Sequence, residues 1–218
     1  MQLVRPFPRL RQRGGARAGQ GARVCLPGPG GRRIVHGLRT ARHPVHVTHR
    51  AGLGCLRSQR VAPTVLAALR GGSKGQSEFR VVHRSIQGNH VHLIVEAGGA
   101  AALSAGMRSL TARLARRINR CLGRRGRALV DRWYAVELTS PRQVRNALIY
   151  VLRNYAKHSG VRSAEDHLSS ASTFDGFAAG SHSSSAARAG PSCARTWLLC
   201  VGWKRHGLIR ADEYPVRA

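Results

Sequence analysis

Acidic residues are scarce in this chain. Its 218 residues hold 9 Asp and Glu against 37 Lys and Arg, a formal net charge of +28, and no acid precedes Glu78. A field of that sign attracts polyanions and speeds encounter with nucleic acid. Long amphipathic helices with large apolar faces are missing from the basic segments, which argues against a membrane-surface role. No run of about 18 apolar residues occurs, so nothing in the sequence reads as a membrane-spanning helix. Paired cysteines are missing too. The five that are present (Cys25, Cys55, Cys121, Cys193, Cys200) are odd in number and include no Cys-x-x-Cys. A disulfide framework and a structural zinc site are therefore both poorly supported, which fits a reducing compartment. The N-terminus is Arg-rich like a transit peptide, but Pro and Gly interrupt any amphipathic helix. It has no continuous apolar core of the kind a secretory signal needs.

The length allows one core of ordinary size plus tails, or two very small domains. Residues 1–42 are rich in Arg, Gly and Pro, with Pro-Gly-Pro-Gly-Gly at 27–31. Such a segment buries too little apolar surface to offset its ordering entropy and reads as a disordered basic tail. Residues 161–194 are rich in Ser, Ala and Gly and read as a linker. Residues 195–218 form a short extension whose Trp197, Leu198, Leu199, Val201 and Trp203 could pack back onto the domain. The region between, 43–160, carries the periodic patterns. No internal repeat is visible.

Those patterns predict a strand over 43–50, with Val45 and Val47 on one face and His46 and Thr48 on the other. A helix is expected from near Leu56 to Arg70, with Pro63 in its first turns and Gly71-Gly72-Ser73 ending it. Phe79–Ile86 reads as a second strand, followed by a tight turn at Gln87-Gly88-Asn89. The next strand contains His90 and His92. Period-2 alternation puts both imidazoles on one face, with Val91, Leu93 and Val95 on the other. Two imidazoles side by side on a rigid strand can share a divalent ion; the plainer reading is a pair of half-exposed strand histidines.

A helix of some 22 residues follows Gly98-Gly99, with a buried stripe of Leu103, Met107, Leu110, Leu114, Ile118 and Leu122. Arg113, Arg116, Arg117 and Arg120 line another face, and Arg124 and Arg125 follow. Eight arginines fall between 101 and 127 with no acid. A charged stripe is usually a solvated face, but this one exceeds what solubility requires, and phosphate contact is expected. A fourth strand, Arg-Trp-Tyr-Ala-Val-Glu-Leu, is expected within Arg127–Leu138. Ser140-Pro141-Arg142-Gln143 is then a helix start, with Ser as N-cap, Pro at N1 and Gln at N3. Along that helix Tyr155 falls on the apolar stripe of Val144, Ala147, Leu148, Val151 and Leu152. Tyr150 falls off it, and Asn154 lies one turn after Tyr150 on the same flank.

The order strand, helix, strand, strand, helix, strand is the ferredoxin-like β-α-β-β-α-β unit, an α+β fold. Its four-stranded antiparallel sheet should carry two helices on one face and leave the other open. The C-terminal, tyrosine-bearing helix would cross that open face, and basic disordered tails would flank the domain.

Asn89-His90-Val91-His92-Leu93-Ile94-Val95 resembles the Asn-His-x-His-apolar strand of the HUH single-tyrosine transposases. Tyr150-Val151-Leu152-Arg153-Asn154 is similar to the Tyr-x-x-x-Asn of the REP-associated tyrosine transposase branch. The resemblance spans roughly 43–158, about half of the chain. Members often have Pro where this chain has Gly88 and where it has Tyr155, and neither position does chemistry. The resemblance implies a metal-dependent DNA strand transferase acting on single-stranded or hairpin DNA in transposition. In that scheme Tyr150 is the nucleophile that forms a 5′-phosphotyrosine. His90, His92 and Asn154 hold a divalent ion, Mg2+ or Mn2+. It further implies a bacterial cytoplasmic protein, nucleoid-associated when bound to DNA, and leaves monomer and homodimer both open. Two other classes fit parts of the pattern. One is a non-catalytic or domesticated nucleic-acid-binding protein of the same fold; the other is a replication initiator or relaxase of the HUH group.

Overall fold

A computed structural model of the protein describes residues 41–70, 78–130, 132–159, 166–178, 193–210, 212, 213 and 215. The basic tail before residue 41, the helix-ending Gly71-Gly72-Ser73, most of the Ser/Ala/Gly-rich stretch and Tyr214 lie outside the described residues. Period-2 valines make β1 (Val45–Arg50) a half-buried strand. It is followed by α1 (Ala62–Arg70), β2 (Phe79–Ile86), β3 (His90–Ala97), α2 (Ala100–Leu122), β4 (Tyr134–Glu137) and α3 (Pro141–Ser159). The strands form one sheet in the order β2-β3-β1-β4, with every neighbouring pair antiparallel. This is the ferredoxin-like arrangement that the element order predicts.

Helix α1 begins at Ala62, later than the expected start near Leu56. The chain from 52 to 60 turns instead, and Ser58 closes that turn by accepting the amides of Val61 and Ala62. Pro63 then sits in the first turn, where its missing N–H costs nothing. At the far end of α2, Gly123 takes a left-handed conformation at φ 63°. The amide of Gly123 bonds Arg120 and that of Arg124 bonds Asn119, so the last carbonyls are satisfied. Helix α3 starts as its sequence predicts. Ser140 Oγ accepts the Gln143 amide at 3.3 Å, and Gln143 Oε1 reaches back to the Thr139 amide at 2.8 Å.

Two apolar cores lie on the two sides of the sheet. On one side Val47, Val91, Leu93 and Val95 meet Val65 and Leu69 of α1 and the Leu103–Ile118 stripe of α2. On the other, Val82 and Ile94 meet Val144, Leu148, Val151 and Leu152 of α3. The face that α1 and α2 leave open is therefore crossed by α3, as the element order predicts. Its cover is thicker than one helix, because α4 (Trp197–Cys200) and a 3-10 helix (Gly202–His206) bury Leu198, Leu199 and Trp203 against α3. Trp197 and Val201 of the same extension stay exposed. Arg145 of α3 ties this extension down with two bonds to the Glu213 carboxylate, at 2.6 and 2.7 Å, and one each to the Gly207 and Leu208 carbonyls.

Residues 166–178, inside the stretch expected as linker, lie along the outer edge of β2. Ile86 donates to Leu168 and Ser170 to the carbonyl of Arg84, covering an edge that would otherwise present unpaired backbone groups. Asp166 holds the segment through Arg57 at 2.7 and 3.1 Å. His83 faces it, with Nδ1 at 3.3 Å from Ser170 Oγ. Desolvation pushes the His83 imidazole down from 6.5 to about 4, with Asp175 opposing and Arg84 assisting. The folded state thus keeps His83 neutral where the unfolded chain protonates it. Stability from this group is complete above pH 6.5 and is lost as pH falls through that value toward about 4. Urea midpoints of the wild type should drop over that window, and those of His83→Gln should drop less. Parallel curves for the two proteins would show that His83 does not drive the loss.

Candidate active site beneath the tyrosine helix

Sheet register builds the site. On β3, His90 and His92 share the face turned toward α3, with ring centroids 4.6 Å apart and the rings edge to face. Thr48 of β1 pairs directly with His92, and His46 pairs with Ile94 next to it. Both side chains converge on His92. Its Nδ1 lies 3.0 Å from Thr48 Oγ1 and 3.3 Å from His46 Nε2. His49 alternates to the other face, where its Nδ1 is 3.4 Å from Thr111 of α2, and it takes no part.

Helix α3 lays Tyr150 over this cluster. Its ring stands edge-on to His92 at 4.9 Å between centroids and to His46 at 5.6 Å. Burial pushes the phenol's pKa above its ordinary value of 10. Burial also pushes the His46 imidazole down to about 4, so that ring is neutral near pH 7. Because α3 covers the sheet, His92 is only 3% exposed, where a bare sheet face would have left it open. His90 keeps partial exposure at the rim.

Asn154, one turn beyond Tyr150, is 1% exposed. Neither polar atom of its amide has a hydrogen-bond partner among the described residues. A buried amide left so costs about 1–3 kcal/mol for each unsatisfied group and calls for an explanation. An oxygen-seeking cation beside it is one. The histidines suit the same purpose. His90 Nδ1 lies 2.8 Å from Asn89 Oδ1, an acceptor, so the contact favours the tautomer in which Nε2 is the nitrogen that could ligate. Among the described residues no three His, Cys, Asp or Glu side chains converge as a metal cage. The groups that could serve an ion here are the two imidazoles of β3 and the Asn154 amide oxygen, while His46 Nε2 is engaged by His92. Such a set of nitrogen and oxygen donors fits a divalent ion that retains water or takes substrate oxygen.

Of the other tyrosines, Tyr155 carries the Arg57 guanidinium 3.7 Å over its ring and is half-buried at the seam between α3 and the Asp166 segment. It is a packing residue. The four cysteines among the described residues, Cys55, Cys121, Cys193 and Cys200, are all free thiols.

The arginines of α2 lie in the opposite layer from Tyr150, since α2 packs on the other face of the sheet. Arg116, Arg117, Arg120 and Arg125 are exposed, and Arg113 and Arg124 are partly covered. Burial and the neighbouring Arg117 and Arg116 lower the pKa of Arg113. The C-terminal half of α2 nevertheless reaches the end of the sheet where His90 sits. Arg60 bonds the Cys121 carbonyl at 2.8 Å, and in the same loop Ala51 bonds the Asn89 carbonyl and Leu56 that of Gly88. His46 and Thr48 have only one signal in the sequence, their place on the polar side of a strand. Nothing local announces that this strand pairs with the histidine strand.

No protein-family model and no curated protein matches the chain. Among solved structures it is similar to a REP-associated tyrosine transposase bound to a REP hairpin. That match has a TM-score of 0.45 at 15% identity and covers 56% of this chain and 72% of the other. It is also similar to a protein of Deinococcus radiodurans R1 described as a transposase, with a TM-score of 0.38 at 14% identity, covering 62% of this chain and 94% of that one. No helix of the described residues is long and apolar enough to cross a membrane. What the chain has in hand is a four-stranded ferredoxin-like sheet with a tyrosine helix laid over a histidine-bearing strand.

Proposed function

We propose that this protein is a transposase-like endonuclease and strand transferase for single-stranded or hairpin DNA, working through a 5′-phosphotyrosine on Tyr150. The observation that carries the reading is the packing of Tyr150 against His92, with the orphaned Asn154 amide one turn away. A phenol is a weak nucleophile at neutral pH, and burial weakens it further. A divalent ion, Mg2+ or Mn2+, held by His90, His92 and Asn154 would supply charge stabilisation at the non-bridging phosphate oxygen. The chain's own residues supply position. Strand β3 fixes the two imidazoles and α3 fixes the line of the phenol. Attack of Tyr150 Oη on phosphorus forms the tyrosyl ester and breaks the bond to the 3′ oxygen, which leaves with the phenolic proton as a free 3′-hydroxyl. The ester is itself a phosphodiester, so the 3′-hydroxyl of another strand can reverse the step and restore the phenol without ATP.

In this reading the arginines of α2 hold the backbone of DNA entering at the His90 end of the sheet. Replacing Arg116, Arg117 and Arg120 with Gln should flatten the salt dependence of single-strand binding. The log–log slope should fall by about 0.7 for each phosphate deprived of its cation, about 2 in all. An unchanged slope would make the stripe a solvated face. The reading as a whole is tested by incubating the protein with single-stranded oligonucleotides and Mg2+ or Mn2+, then looking for a covalent adduct on a denaturing gel. Adduct mapped to Tyr150 supports it. A wild type that binds DNA and forms no adduct with any substrate makes a nucleic-acid-binding module the better description.

A further inference from the structure

Each of the two site histidines has an oxygen at its Nδ1, and the two oxygens come from different places in the chain. That of His90 belongs to its sequence neighbour Asn89. That of His92 is the hydroxyl of Thr48, 44 residues earlier and on another strand. Thr48 stands directly opposite His92 in the β1–β3 pairing and opposite Tyr134 in the β1–β4 pairing, so it lies on an inner strand with neighbours on both sides. Its position is set by two ladders, and β-branching limits its χ1. The hydroxyl is therefore held where the His92 ring meets it.

We infer that Thr48 is a positioning residue for the metal site, accepting the Nδ1 proton of His92 so that Nε2 is left as the ligating lone pair. The inference rests on the proposed metal site, and it assigns that site a member which touches neither DNA nor metal. The chemistry is general: a ligating histidine donates its other ring N–H to an oxygen, which fixes both tautomer and ring plane. His46 offers Nδ1 a second contact at 3.3 Å. A His46 ring that donated there would force the proton onto Nε2 of His92 and remove it as a ligand. The Thr48 hydroxyl, at 3.0 Å, can instead accept, and in the inferred arrangement it takes the Nδ1 proton and leaves Nε2 to the ion.

Two measurements on the full chain separate this inference from the metal reading beneath it. Long-range nitrogen–proton NMR of the histidine rings in metal-free protein reads the tautomer directly. The wild type and Thr48→Ser should show His92 protonated at Nδ1, and Thr48→Val should show a mixture or the Nε2–H form. Calorimetric titration with Mn2+ should then find affinity in Thr48→Val lowered by about 10- to 100-fold and Thr48→Ser close to the wild type. An Nε2–H tautomer at His92 in the wild type overturns the inference, as does a Thr48→Val protein with wild-type tautomer and affinity. A wild type with the Nδ1–H tautomer that binds no Mn2+ overturns the metal site and leaves the role of Thr48 in fixing the ring intact. If Thr48→Val does not fold, Thr48→Ala, which also removes the hydroxyl, is read by the same two measurements with the same expected and overturning results.

Discussion

Tyr150→Phe is expected to fold, to bind single-stranded DNA with wild-type affinity and to form no covalent adduct. The loss should be complete, because the change removes the only atom that can become the ester oxygen. Folding should survive because the ring, rather than the hydroxyl, packs against His92 and His46. Affinity should survive because the arginines proposed to hold the backbone lie elsewhere, exposed on α2. The matched control is Tyr155→Phe. That tyrosine lies under the Arg57 guanidinium, and its phenylalanine keeps a face for the cation, so it should lose about 1 kcal/mol at most and retain the adduct. Peptide mapping of trapped wild-type complex decides the point. DNA found on Tyr134, Tyr155 or Tyr214, or adduct persisting in Tyr150→Phe, would sink the assignment. Activity of the wild type should also rise as pH is raised above neutrality, since burial places the phenol's pKa above 10 and ionisation favours the nucleophile.

The second large effect is expected at the histidines. His90→Ala and His92→Ala should each lower cleavage by at least about a hundredfold, the usual loss when a group that stabilises transition-state charge is removed. DNA affinity should stay within a few-fold of the wild type. The two variants should differ in stability. His90 is at the rim and partly exposed, so its loss should barely move the melting temperature. His92 is buried between Thr48, His46 and the Tyr150 ring, so its alanine leaves a cavity and costs several degrees. His90→Ala is therefore the cleaner probe. Cleavage that persists in both variants, or in excess chelator, would remove the metal from the reaction.

Much of the frame is legible in the order of residues. The end of β2 and the start of β3 follow from the turn residues Gln87-Gly88-Asn89, and the start of α3 from its Ser140–Gln143 cap. The shared face of His90 and His92 follows from period 2, and the shared flank of Tyr150 and Asn154 follows from 3.6 residues per turn. Each is a statement about residues at most a few positions apart, where backbone geometry alone relates the side chains. The start of α1 is not legible in this way. A turn closed by Ser58 competes with helix over 56–61, and composition does not separate the two.

What only the tertiary structure decided is which distant groups meet. The antiparallel register of β1 on β3 brings Thr48 and His46 to His92. The docking of 166–178 on the edge of β2 turns part of a Ser/Ala/Gly-rich stretch into packed structure, through an Arg57–Asp166 pair 109 residues apart. The cover over the second sheet face, with Trp203 and Leu199 behind α3, is what makes His92 and Asn154 buried groups rather than surface ones. No local pattern encodes these contacts. Register and docking are chosen by the whole apolar surface at once, so a polar side chain's burial, and hence its chemistry, is settled only when the layers close over it.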